Sequence, residues 1–253
     1  MAPQAEKFVC FVRRILDGRG RWPHNSSDCA RAKGRAYTLV REGSKAVDYH
    51  LDLARLSIQE YQELLKKQNL LPGRRVLWQD MDKNFALLQS QGINTLAQLK
   101  KILATPVKIA AFAAVSGIAE EYLGILKREI GSLEPKPVPL AAFPGIDPPL
   151  IGALNAAGLK TSKDYFEYYQ ATAEELFCLC DLVRINGVGP AAAKTFYEAG
   201  YRSVADVAGA DGAVMLERVS AVNERQGYYK ARLGQKDMQF CIDFALLLEK
   251  YCT

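Results

Sequence analysis

The sequence is poor in the residues that build most active sites. It has two histidines and two tryptophans in 253 residues, and no recognisable motif positions either histidine. Six cysteines stand at irregular spacing, and only Cys178 and Cys180 lie close together. A zinc site usually shows two such close pairs, so no metal is expected, and the thiols read as reduced and mostly buried, as in a cytoplasmic protein. No apolar run approaches the ~20 residues of a membrane span. The short apolar stretch Phe8–Val12 is followed, not preceded, by Arg13 and Arg14, unlike the order of a secretory signal. Gly187-Val188-Gly189 is not followed by the Gly-Lys-Ser/Thr of a phosphate-cradling loop, and no Gly-x-Ser-x-Gly elbow occurs. These absences lead to the expectation of a protein with neither enzyme activity nor cofactor.

Charge is abundant but unevenly placed. Residues 1–46 carry ten basic and four acidic residues, so the net +5 of the chain divides into +6 there and −1 over the remaining 207. Glycine, proline, asparagine and serine interrupt residues 17–47, so residues 1–47 read as a basic, flexible tail. The rest is close to neutral, and general attraction to phosphate is correspondingly weak.

Helical signals begin at Ser57. Ser57 and Glu60 have the spacing of a capping box, and apolar residues then recur at helical intervals until Leu71-Pro72-Gly73 ends the helix. Further helices are expected over about 82–91 with Gly92 at the C-cap, from a cap at Thr95 or Asn94 to Leu103, from Pro106 to Gly117, and over 119–130. Three alternating prolines in residues 134–139 favour an extended linker. The expected organisation is therefore a helical domain at 48–133, that linker, and a second helical domain at 140–253, ending in an amphipathic helix over 238–251 that packs on its neighbour.

Beyond the linker the chain repeats. Residues 143–165 align without a gap on 185–207, matching Gly145 with Gly187, Pro148 with Pro190, Ala157-Gly158 with Ala199-Gly200, and Asp164 with Asp206. Gly92-Ile93-Asn94-Thr95 echoes Gly158-Leu159-Lys160-Thr161, and Ser116-Gly117-Ile118 echoes Pro144-Gly145-Ile146. Each unit reads as hydrophobic, any residue, Gly, hydrophobic, Gly or Asp, Pro, then an apolar helix ending in Ala-Gly. This pattern resembles the helix-hairpin-helix family, in particular uncharacterised bacterial proteins that repeat the unit along one chain. The resemblance implies an all-α fold of tandem helix-hairpin-helix units in two small domains. It also implies contact with a DNA or RNA backbone through main-chain amides at the hairpin, which conveys no base sequence.

The hairpin copies differ in chemistry. Ile185–Pro190 keeps both glycines, with Arg184 before it and Lys194 one turn into the following helix. The expected nucleic-acid-binding set is therefore Arg184, Asn186, Gly187, Val188, Gly189 and Lys194. Asp147 replaces the second glycine in the other copy, and Glu120-Glu121 follow the turn at Gly117, so both of those turns are expected to repel phosphate. The alternative is a protein-interaction or structural scaffold in which the hairpins only pack. Asp206 stands seventeen residues after Gly189, about where helix-hairpin-helix DNA glycosylases place a catalytic aspartate. Asp164 repeats the position, however, and an acid in a helix's first turn suits the dipole. Tyr165–Tyr169, Tyr228 and Tyr229 offer stacking surfaces, though such clusters more often cover a core. Arg225, Lys230, Arg232 and Lys236 form a basic strip near the last two.

Overall fold

The helices begin where local chemistry offers a cap. In the computed structural model, which describes residues 47–68, 70–169 and 174–252, helix α1 (Ile58–Lys67) opens on Ser57. Its hydroxyl accepts the Glu60 N–H, and the Glu60 carboxylate accepts the Ser57 N–H. Eleven further α-helices follow: α2 (Met81–Ser90), α3 (Leu96–Ile102), α4 (Pro106–Ser116), α5 (Glu120–Gly131), α6 (Pro148–Ala156), α7 (Ser162–Tyr169), α8 (Glu175–Leu182), α9 (Pro190–Glu198), α10 (Val204–Ala208), α11 (Gly212–Gln226) and α12 (Gln235–Tyr251). Among the described residues two 3-10 helices, Pro72–Trp78 and Leu140–Ala142, and two isolated β-bridges accompany them, so the fold is all-α. Nearly all of the basic segment expected to be flexible, with Cys10 and Cys29, lies outside those residues.

One wiring diagram recurs three times. Gly92, Gly158 and Gly200 follow the ends of α2, α6 and α9 with φ of 77°, 85° and 96°, a left-handed conformation that side chains resist. The next residue then donates five positions back: Ile93 to Leu88, Leu159 to Leu154, Tyr201 to Phe196, at 3.2, 2.9 and 2.9 Å. This is the Schellman closure. Thr95, Thr161 and Ser203 cap the following helices, accepting the N–H of Gln98, Asp164 and Asp206. Those three side chains reach back to the N–H of Asn94, Lys160 and Arg202 at 2.8, 3.0 and 2.8 Å. Two of the three caps are also bridged to an earlier segment: Thr95 to Ser57, and Thr161 to Pro139.

The structure departs from the sequence-based expectation in three elements. Pro72–Trp78 does not simply end α1 but winds into a 3-10 helix that packs on α5. Helix α8 carries no amphipathic signal because every residue from Leu176 to Leu182 is buried. Helix α11, fifteen residues long, begins on an Asp211 side chain that accepts the Ala213 and Val214 amides.

Buried side chains form a cluster extending from Tyr49 to Cys252. Helix α8 packs against α7 and α9, and α12 against α10 and α11, as expected for the terminal amphipathic helix. The irregular segment 47–57 before α1 joins helices from both halves of the chain. The Tyr49 hydroxyl lies 2.6 Å from that of Ser162, Asp52 N–H donates to the Tyr251 carbonyl at 3.1 Å, and the Cys252 thiol donates to the His50 carbonyl. The proline segment is held as well: Ser162 N–H donates to the Val138 carbonyl at 2.7 Å, and Leu140 N–H to that of Lys160 at 3.0 Å. The four described cysteines are buried and unpaired. No helix among the described residues is long and apolar enough to cross a membrane.

Candidate nucleic-acid interface

The turn from α8 to α9 is anchored by its hydrophobic positions. Ile185 and Val188 are buried in the core, and Val188 N–H donates to the Ile185 carbonyl at 3.0 Å. Between them Asn186 is half-buried and Gly187 is exposed. Gly187 has φ 87°, and Phe240 of α12 lies 3.8 Å from where a Cβ would sit. Gly189 is the N-cap of α9, with an ordinary φ of −83°, and Pro190 occupies the first turn. The amides of Gly187 and Gly189 have no backbone acceptor among the described residues, and Ala191 and Ala192 stand in the first turn of α9, where N–H groups lack an intrahelical partner. They cluster at a half-buried turn, open to solvent at Gly187, on the positive end of the α9 dipole, an arrangement suited to an anion.

The two cations expected beside that turn do not face it. Arg184 is only 4% exposed, and each edge of its guanidinium is occupied. It contacts Asp181 at 2.5 Å and donates to the Tyr49 carbonyl at 3.0 Å and that of Asp48 at 3.1 Å. Its plane lies over Phe166, 4.4 Å from the ring centroid. The other Asp181 oxygen accepts the Val204 N–H at 2.7 Å. Arg184 therefore clasps the segment before α1, α8 and the start of α10 together, and the expectation of a phosphate-facing guanidinium is corrected accordingly.

Lys194 is likewise engaged. Its ammonium sits between Glu175 at 2.5 Å and Glu198 at 3.3 Å. Burial acts to lower its pKa, but the two carboxylates outweigh burial and raise it. Glu198 also accepts the Tyr228 hydroxyl at 2.6 Å, which, with Lys194, holds its carboxyl below the usual range. The lysine is charged but already neutralised. The expected set thus divides: Gly187, Gly189 and the main chain around them form the turn, whereas Arg184 and Lys194 belong to the packing behind it.

Residues 181–226 match the model of the family described as SAM-like helix-hairpin-helix tandem. The match runs from the end of α8 through the turn to the end of α11. No curated protein and no solved structure matches the chain.

The remaining candidates are distributed between core and surface. Asp206 and Asp164 serve as the cap-closing acids of the repeated wiring, the structural role that their repetition suggested. Tyr165 and Phe166 are buried, and Tyr168, Tyr169, Tyr228 and Tyr229 are half-buried. Arg225, Lys230, Arg232 and Lys236 are exposed and enter no ion pair among the described residues. Of these, Lys236 lies one helical turn before Phe240 on α12, hence on the face that meets Gly187. The sequence signal for that relationship was absent, because it depends on how α12 packs. The turn at Gly145 is also exposed, and Asp147 occupies the N-cap position of α6 there without a side-chain capping bond.

Proposed function

We propose that the chain binds nucleic acid by its backbone, without sequence preference, through the Gly187–Ala192 turn, and that it is a binding protein rather than an enzyme. The observation that carries this reading is the group of main-chain amides at the half-buried start of α9 beside the exposed Gly187, where Gly187 and Gly189 have no backbone acceptor among the described residues. The match to the tandem helix-hairpin-helix family supports it. The exposed cations of the strip from Arg225 to Lys236 supply the attraction that Arg184 and Lys194 do not. With so few free charges, the affinity belongs in the weak, non-specific range of roughly 10⁻⁴–10⁻⁶ M and falls as salt rises, with a modest slope set by those few cations. A cytoplasmic location belongs to the same reading, supported by the buried, unpaired thiols.

Gly189→Asp is a clean test. The backbone at Gly189 suits any residue, and a Cβ there would meet nothing within 4 Å. Aspartate already occupies the equivalent cap of α6 and is a favoured N-cap residue. Fluorescence anisotropy with short duplex and single-stranded DNA and with RNA, across a salt series, should show binding by the wild type. The variant should lose at least tenfold in affinity while keeping its unfolding midpoint. Equal binding by both proteins would reject the turn as the contact.

A second reading has its own support. Arg184 and Lys194 are consumed internally, and Asp147 charges the sister turn, so the hairpins serve as packing units of a scaffold. Absence of salt-sensitive binding by the wild type would favour that scaffold.

A further inference from the structure

We propose that the cleft beside Trp78 binds the guanidinium of an arginine that carries a free carboxylate. The cleft is lined by Lys66, Trp78, Asp80, Met81, Asp82 and Lys83 and does not involve the Gly187 turn. Its volume of about 690 Å³ falls within the roughly 300–1,000 Å³ of small-ligand sites. Trp78 is 42% exposed, a large share for a bulky aromatic side chain. Its indole N–H donates to the Leu65 carbonyl at 3.0 Å, which holds the ring in place while part of it meets solvent.

Asp80 lines the same cleft with an uncommitted carboxylate. It is the N-cap of α2 but makes no capping bond. Its φ of 50° makes it the one described residue other than glycine in the left-handed region, and strain of this kind gathers at ligand clamps. Lys66 is spent, because its ammonium lies between Glu63 at 3.0 Å and Asp82 at 2.9 Å. Lys83, like Asp80, is exposed. Neither enters an ion pair among the described residues, with the other or elsewhere.

These groups select the ligand. An accessible indole with a free carboxylate beside it suits a planar cation. A guanidinium stacks on the ring, and its paired N–H groups meet the carboxylate. The carboxylates of Glu63, Asp80 and Asp82 outnumber the ammonium groups of Lys66 and Lys83, so the surroundings are net negative and disfavour a phosphate-bearing ligand. An ammonium ligand lacks both the plane and the fork of donors. Lys83 matches the carboxylate at the other end of an arginine. Free arginine and an arginine at the C-terminus of a peptide share these two ends.

Tryptophan emission of the full-length protein tests the proposal. The chain has two tryptophans, so Trp22→Phe leaves Trp78 as its one indole. In that background arginine should change the emission saturably, and lysine at equal ionic strength should bind at least tenfold more weakly. Asp80→Asn should weaken arginine at least tenfold with an unchanged unfolding midpoint, since asparagine also adopts the left-handed conformation. Lys83→Gln should weaken arginine severalfold and leave agmatine, which has no carboxylate, as it was. A peptide ending in arginine that binds more tightly than the free amino acid assigns the site to a protein terminus, and the reverse order assigns it to free arginine. An emission unmoved by millimolar arginine would overturn the proposal. So would lysine or a mononucleotide binding as tightly, undiminished binding in Asp80→Asn, or equal losses of arginine and agmatine in Lys83→Gln.

Discussion

At the scale of the residue, Arg184 shows how position along a chain can mislead. It stands immediately before the hairpin, where a phosphate-binding cation would stand, but its guanidinium points inward to Asp181 and to two main-chain carbonyls. Asp181 lies three residues earlier, a spacing that brings side chains together on a helix, so part of this pairing was readable. The long-range part, to Asp48 and Tyr49, was not. Arg184→Ala should lose about 3–5 kcal/mol, because it leaves a buried carboxylate without its counter-charge. Arg184→Lys should recover little, since an ammonium cannot span three acceptors in different directions. Urea unfolding measures both, and an alanine variant as stable as the wild type would remove the clasp. Lys194 teaches the same lesson more gently. Glu198 follows it by four residues, and this visible pairing already competes with any phosphate.

At the scale of the element, the glycine-closed helix ends were legible because they are local. Gly92, Gly158 and Gly200, each followed three residues on by Thr or Ser, announce a left-handed closure and a new cap within a few residues. What escaped was structure without local signature. Helix α8 is buried on all sides and so lacks a polar face. The 3-10 turn at Pro72–Trp78 depends on packing against α5, and Trp78 donates its indole N–H to the Leu65 carbonyl at 3.0 Å. The candidate site was legible as a turn but not as a charge distribution, for the turn is made by adjacent residues and the charges are set by packing. If Ser203 is a cap, Ser203→Ala should cost about 1 kcal/mol of stability. Thr161→Ala should cost a similar amount through the same wiring. Denaturant midpoints decide this, and an unchanged midpoint would argue against the shared role.

At the scale of the whole molecule, the first and last described helices are fastened to each other. Lys250 of α12 reaches Glu60 of α1 at 3.0 Å, and Lys250, with Ser57, holds the Glu60 pKa down at about 2 against an ordinary 4.5. A carboxyl with a depressed folded-state pKa stabilises fully above its unfolded value, and that contribution is lost as pH falls through the folded one. Stability should therefore decline between about pH 4.5 and 2. Glu60→Gln should reduce the size of that decline, although solvent around the pair keeps its contribution modest. Urea midpoints at pH 6 and pH 3 for both proteins test this, and identical declines would dismiss the pair as a source of acid sensitivity.

The sister caps, Gly189 and Asp147, sit at ordinary backbone angles, φ −83° and −61°. Neither position therefore constrains which small polar residue occupies it, and exchanging one for the other changes the charge at the turn without straining the helix that follows. Divergence between duplicated hairpins can then proceed by single substitutions, each leaving a folded protein. One copy remains free to acquire or surrender a ligand while the other maintains the architecture.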